Sequence, residues 1–288
     1  MQEMTLRIVQ WHSWVVAGRV ARLIACAIAI GVGIAMIWAN AISWELEDWR
    51  TYLVAAERVA QGGPVYDWSA GHEYVYRYAP WFAYALTPFL ALPRPMADVI
   101  WSAIVVGATL GAVLPLLLHR SWAGVSMAVL GAGLLMRVAS TGNVNPLIIA
   151  ALVLGLQTRA GPIIVALAAS LKATPLLFTA VFLAERRWVA AALTLGLTIV
   201  LVAPVAWLGY EITPGPSESI FQVSPVVWLL IAPIALAILT VLTVAGSRYV
   251  ALSAGVAAYL ALPRSFLYDI ALVLPGIARR TPRDEDKG

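Results

Sequence analysis

Three carboxylates in four positions, Glu45, Glu47 and Asp48, stand among Trp44, Trp49 and Tyr52 directly after the first long apolar run. Only 12% of the 288 residues are charged, so this cluster marks an edge where polar chemistry could occur. The following stretch has helical spacing over 49–61: Trp49, Tyr52, Leu53, Ala56 and Ala60 share one face, away from Arg50, Glu57, Arg58 and Gln61. Gly62-Gly63 stop it, and the segment reads as an amphipathic helix laid along the membrane surface. Asp48 is thereby expected at a helix N-cap, where the dipole keeps a carboxylate ionised and able to accept a hydrogen bond. It is either a cap alone or a general base that takes a proton from a hydroxyl at a membrane surface.

A second candidate is Lys172. Of 19 basic residues only Lys172 and Lys287 are lysines, and Lys287 lies in the terminal tail. An ionisable group inside an apolar run is expensive to keep. Lys172 either meets a phosphate as a compact point charge or snorkels from a helix end. Arg77, Arg137 and Arg264 could complete a cationic pocket with it, or each could pair with a carboxylate or a lipid headgroup. Asp269, in Leu262-Pro263-Arg264-Ser265-Phe266-Leu267-Tyr268-Asp269, could orient a substrate hydroxyl or pair with Arg264. His72 and His12 carry no signal. Nothing resembles a metal site, a nucleotide loop or a Ser-His-Asp arrangement. Cys26 is the sole cysteine, which excludes disulfides and cysteine-ligated metals within one chain.

These residues need a scaffold, and composition says which kind. At 61% hydrophobic and a mean hydropathy of +0.85, the chain is not a soluble domain. Long Leu/Ala/Val-rich runs indicate an all-α, polytopic membrane bundle, not a barrel. Candidate spans are roughly 20–43, 97–118, 122–139, 144–157, 161–171, 174–184, 187–208, 225–245, 249–262 and 266–278, about ten in all. Several are shorter than the ~20 residues of a perpendicular span and suit a protein-enclosed or water-filled cavity. The run from Leu23 to Ala39 reads as an uncleaved first helix although Ala39-Asn40-Ala41 looks like a cleavage site.

Sidedness follows the positive-inside rule. Arg7, Arg19 and Arg22 put the N-terminus in the cytoplasm, as do His119-Arg120, Arg159, Arg186-Arg187, Arg248 and Arg279-Arg280-Arg283 for their turns. The outer loop 44–78, with its juxtamembrane helix 48–61, then carries the acids. The turns at Gly142-Asn143 and Lys172–Pro175 fall on the same side. The alternation closes if 79–93 is a re-entrant or interfacial helix. Residues 1–280 form one membrane domain, and the charged tail 281–288 is cytoplasmic and disordered. A net charge of +4 scattered at segment ends suits positive loops and excludes a nucleic-acid partner.

Taken in order, these segments resemble the C-type (GT-C) glycosyltransferases, and most closely family 87. Asp48-Trp49-Arg50-Thr51-Tyr52 with Ala55-Ala56, Gly62-Gly63 and Tyr66 matches one block, and Tyr78-Ala79-Pro80 with Thr87-Pro88 and Leu92-Pro93 the next. Gly142-Asn143-Val144-Asn145 stands where the family commonly has G-Q-x-N. Ala160-Gly161, Lys172, Pro175 and Arg186-Arg187-Trp188 follow its A-G…K-x-x-P…R-R-W block. Asn143 replaces the usual Gln. Where many members carry a Trp and a His near the C-terminus, this chain has Tyr268-Asp269.

The resemblance implies a GT-C-like, inverting α-mannosyltransferase-type enzyme. It would use a polyprenyl-phosphate sugar such as polyprenyl-phosphate mannose, and a lipid-linked or glycan hydroxyl acceptor, on the outer face of a bacterial plasma membrane. It implies Asp48 as general base, Lys172 with Arg77, Arg137 and Arg264 around the donor phosphate, and Tyr52, Tyr66, Tyr78, Asn143, Asn145, Tyr268 and Asp269 as substrate contacts. No cofactor or metal is implied. The rivals are a sugar-lipid or lipid transporter, which also needs a cationic groove and broken helices, and a catalytically inactive relative. The sequence shows no internal repeat, and a transporter has no need of a base such as Asp48.

Overall fold

A computed structural model describes residues 2–67, 75–118, 122–210, 218–263 and 265–278, with side chains from Val20 onward. His12, His72, Arg264 and the tail from Thr281 therefore lie outside the described side chains. Every regular element among the described residues is helical. In chain order these are α1 (Gln2–Ile42), α2 (Glu47–Ala60), α3 (Pro80–Leu86), α4 (Arg94–Leu117), α5 (Trp122–Ala139), α6 (Asn145–Gly155) and α7 (Gly161–Leu171). They continue with α8 (Thr179–Ala184), α9 (Trp188–Val202), α10 (Ile220–Val223), α11 (Pro225–Val244), α12 (Val250–Leu260) and α13 (Leu274–Ala278). Tight 3-10 turns at Thr87–Ala91, Thr174–Phe178 and Leu267–Val273 extend α3 and lead into α8 and α13.

The fold is an all-α polytopic membrane protein, as expected. Apolar helices recur where the sequence placed them, but in two length classes. Five are long enough to cross a bilayer: Val20–Ile42, Arg94–Leu117, Trp122–Ala139, Trp188–Ala206 and Pro225–Val244. The other five, including Asn145–Gly155, Gly161–Leu171 and Val250–Leu260, have 10–17 residues. These short helices are packed inside the bundle, so their frayed ends meet protein groups instead of lipid. Pro80–Ala91 is too short to cross: seven α-helical and five 3-10 residues rise only about 20 Å against a ~30 Å hydrocarbon core.

Helix ends are gathered by chain reversal. α1 and α5 run parallel, because Cys26 meets Ser126 at 3.4 Å while Gly33 and Met36 face Val129 and Gly133 further along. Their contact is set by glycine: a Cβ on Gly133 would lie 2.8 Å from the Gly33 carbonyl oxygen. Small residues allow this close backbone approach where no hydrophobic drive pulls helices together in lipid. The C-termini of α1, α5 and α7 and the N-termini of α2, α4 and α6 thus meet at one end, cross-linked there by Trp44 to Ser102 (2.9 Å) and Trp81 to Ser170 (3.0 Å).

Two expectations for α2 are corrected. Its apolar face does not lie on the bilayer. Trp49, Tyr52, Leu53, Ala55, Ala56 and Val59 are buried against α3, the following 3-10 turn and Trp101 of α4. Ala60, assigned to that face, is exposed. Nor is Asp48 the N-cap. The helix starts at Glu47 after Leu46, whose left-handed φ of 55° breaks the chain direction, and no side chain caps it. Instead the Glu45 and Leu46 amides donate to the Ser140 carbonyl, and those of Asp48 and Trp49 to the Thr141 carbonyl. A neighbouring turn satisfies the helix terminus, which leaves the Asp48 carboxylate available for other partners.

Candidate active site

Gly142 shapes the turn that receives Asp48. Its φ is +75°, and a Cβ there would come 2.7 Å from Trp49 Cβ, so glycine is required on both counts. Trp101 Nε1 donates to its carbonyl at 2.7 Å. The Trp101 ring stacks on Trp49 with centroids 4.5 Å apart, and Trp49 Nε1 donates to Asp98 at 2.8 Å. This aromatic wedge locks the first turn of α2 against the 139–145 turn.

The lock orients Asp48. Its Oδ2 accepts from Thr141 Oγ1 at 2.6 Å and from Asn143 Nδ2 at 3.0 Å. Its Oδ1 has no partner among the described residues, and the side chain is half-buried. One oxygen is held and the other is open. Glu45 and Glu47, by contrast, are exposed. Tyr52 and Tyr78 wall the same space: Tyr52 OH donates to Tyr78 OH at 3.0 Å, and Tyr78 OH lies 3.4 Å from Asn143 Nδ2. Burial, followed by the charge of Asp48, pushes the Tyr78 hydroxyl well above the ordinary phenol range. Burial does the same for Tyr52. Both stay neutral and serve as hydrogen-bonding groups, not bases. Tyr66 stands behind them, donating to the Tyr78 carbonyl at 2.9 Å.

From Asn143 the polar groups continue inward. Its Oδ1 accepts from the Asn145 amide at 2.9 Å, and Asn145 Nδ2 lies 3.5 Å from Asp269 Oδ1. Asp269, 1% exposed, accepts from Lys172 Nζ at 2.5 Å and from the Phe266 amide at 2.9 Å. The Lys172 ammonium also sits 5.0 Å from the Tyr268 ring centroid, and Tyr268 stacks on Phe266. The expected partner of Asp269, Arg264, lies outside the described residues; the ion pair with Lys172 was not anticipated from the sequence. Lys172 follows directly on α7, at its C-cap, so the apolar run ends where the charge finds its counter-ion.

The remaining cations are placed differently. Arg137, at the end of α5, pairs with Glu218 at 2.9 Å. Arg77, half-buried, immediately precedes Tyr78. The structure gives neither a contact with Lys172. Glu218 was missed in the sequence, where it reads as one more loop acid. It fastens the segment before Tyr268 through its Oε2, which accepts from the Leu267 amide at 2.7 Å, and its own amide, which donates to Ser265 O at 2.8 Å. Next to it, Ser219 Oγ donates to Pro263 O at 2.6 Å. Glu218→Ala should loosen the Phe266–Tyr268 platform beside Lys172. The expected result is a Tm in detergent lower by roughly 2–4 °C, read by thermal unfolding.

Asp48, Thr141, Asn143, Asn145, Asp269 and Lys172 thus form one continuous polar chain at a single end of an apolar bundle. A held carboxylate with an open oxygen can accept a proton, and an ammonium with two uncommitted N–H groups can receive an anion. Residues 76–214 match the family model of glycosyltransferase family 87. The chain is a membrane glycosyltransferase. No curated protein and no solved structure matches it. The matched stretch contains Tyr78, Asn143, Asn145 and Lys172 but neither Asp48 nor Asp269. A glycosyltransferase takes a sugar donor and an acceptor, here in a membrane-lipid setting.

Proposed function

We propose that this glycosyltransferase moves a hexose, with mannose as the first candidate, from a polyprenyl-phosphate donor to a hydroxyl of a lipid-linked or glycan acceptor, with inversion at the anomeric carbon. The observation that carries the proposal is the state of Asp48: fixed through Oδ2 by Thr141 and Asn143, with Oδ1 open. Asp48 takes the proton from the acceptor hydroxyl as that oxygen attacks the anomeric carbon. The bond from that carbon to the phosphate oxygen breaks, and its electron pair leaves with the polyprenyl phosphate. A phosphate leaving group needs positive charge near it more than it needs a proton. Lys172 supplies this: one N–H is engaged by Asp269, two remain for the phosphate, and the Tyr268 face sits beside them. Arg77 and Arg137 are the further cations proposed to approach the donor.

The outer face of the bacterial plasma membrane is the proposed location. Supporting it, Arg159, Arg186, Arg187 and Arg248 belong to the turns at the far ends of the helices from Asp48, in keeping with the positive-inside rule. The same rule puts both termini in the cytoplasm.

Purified protein in detergent, given polyprenyl-phosphate sugar labelled in the hexose and a lipid acceptor, should release polyprenyl phosphate and form a new glycoside of inverted configuration. Movement of the donor across proteoliposomes with no new glycoside would overturn this reading. Transfer only from a nucleotide sugar would overturn the donor assignment.

A further inference from the structure

At the other end of the molecule α8 ends in an unusual way. Arg186 adopts φ +57°, its amide donating to Leu183 O while the Arg187 amide donates to Phe182 O. This is the helix stop that glycine normally fills, because a Cβ is strained there. An arginine in a strained position calls for a reason in what its side chain does.

That side chain lines an open groove of about 650 Å³ between the end of α8, the start of α9 and the last turns of α11. Ala180, Leu183 and Leu239 line its apolar part, and Arg186 and Trp188 its polar part. Neither the Arg186 guanidinium nor the Trp188 indole N–H has a partner among the described residues, and both residues are exposed. The neighbouring Arg187 uses Glu185, at 3.2 Å, and among the described residues no carboxylate lines the groove. The two hydroxyls on its wall, Thr240 and Thr243, spend their protons on the Leu236 and Leu239 carbonyls. Among the described residues the groove therefore offers two unpaired donors, one of them charged, next to an apolar trough on the surface of the helical bundle.

We propose that this groove is a binding site for an anionic phospholipid, with an acyl chain along Ala180, Leu183 and Leu239 and the phosphate on Arg186 and Trp188. A groove lined by a cation with no acid selects a negatively charged head over a zwitterionic one, whose ammonium finds no counter-charge there. Trp188 has the amphipathic character of a side chain at the headgroup level. The site is separate from Asp48 and Lys172, and its occupancy does not depend on which sugar or acceptor the enzyme uses.

The test is native mass spectrometry of the full-length protein in detergent, with phosphatidylglycerol or phosphatidylcholine added at equal concentration. Wild type should retain phosphatidylglycerol at least about five-fold more than phosphatidylcholine. Arg186→Gly relieves the backbone strain and removes the charge, so it should fold at least as well as wild type without lipid while losing that preference. Arg186→Lys keeps the charge at the same strained position and should keep most of it. Ala180→Trp, which fills the trough, should reduce retention of phosphatidylglycerol. Equal retention of the two lipids by wild type, or an undiminished preference in Arg186→Gly, would overturn the proposal.

Discussion

Asp48→Asn should stop sugar transfer while leaving donor binding nearly intact. The amide keeps an oxygen that can accept from Thr141 and Asn143, so the first turn of α2 should hold its place on the 139–145 turn. Four backbone hydrogen bonds from residues 45–49 to the Ser140 and Thr141 carbonyls do not involve this side chain at all. What the substitution removes is the ability to take a proton. General-base catalysis contributes about 100- to 10,000-fold, so kcat should fall by at least that lower figure. The donor KM should change little, because the phosphate is proposed to sit on Lys172. Initial rates with labelled donor, alongside equilibrium donor binding, separate the two. A variant retaining a tenth or more of the wild-type rate would remove Asp48 as the base. Thr141→Val is the natural companion, since it frees Oδ2 from its shortest hydrogen bond without touching the carboxylate. It should slow transfer less severely, by misorienting the base.

Much of this architecture was legible in the chain because lipid enforces a simple rule. Apolar runs become helices, and their ends fall near the charges and prolines that bound them. The turn at Gly142-Asn143 and the stop at Lys172 could be read in the same way. The partnerships could not. Asp48 looked like a helix cap because local sequence shows only local partners, whereas the terminus of α2 is satisfied by carbonyls some 95 residues later. Leu46 in a left-handed conformation has no signature in an apolar side chain. The Trp49–Asp98 and Lys172–Asp269 contacts, 49 and 97 residues apart, arise from chain reversal and leave no periodic trace. Glu218 was invisible for a further reason: an acid in a polar loop looks solvated until the segment it fastens is known. Composition and position singled out Asp48 and Lys172; the resemblance added Asn143 and assigned the three their roles before any contact could be seen.

Lys172 and Asp269 should separate stability from catalysis. Lys172→Met leaves Asp269, whose side chain is 2% exposed, charged and held only by the Phe266 amide and a long contact to Asn145. Removing one partner of a buried ion pair costs about 3–5 kcal/mol. The loss here should fall toward the low end, because the Lys172 side chain is 22% exposed and its charge is partly solvated already. The double variant Lys172→Met/Asp269→Asn removes both charges and keeps an acceptor for the Phe266 amide, so most of the lost stability should return. Thermal unfolding in detergent would show this as a Tm near that of wild type. Activity should not return with it. If Lys172 receives the leaving phosphate, the stable double variant still lacks the positive charge, and both donor affinity and kcat should remain depressed. Asp269→Asn alone should fold and bind donor, since the ammonium is then released toward the phosphate, but with a lower kcat, because Lys172 is no longer held in one place. A double variant that regained both stability and transfer would reduce the pair to a structural ion pair and move the phosphate site elsewhere, with Arg77 and Arg137 the next cations to test.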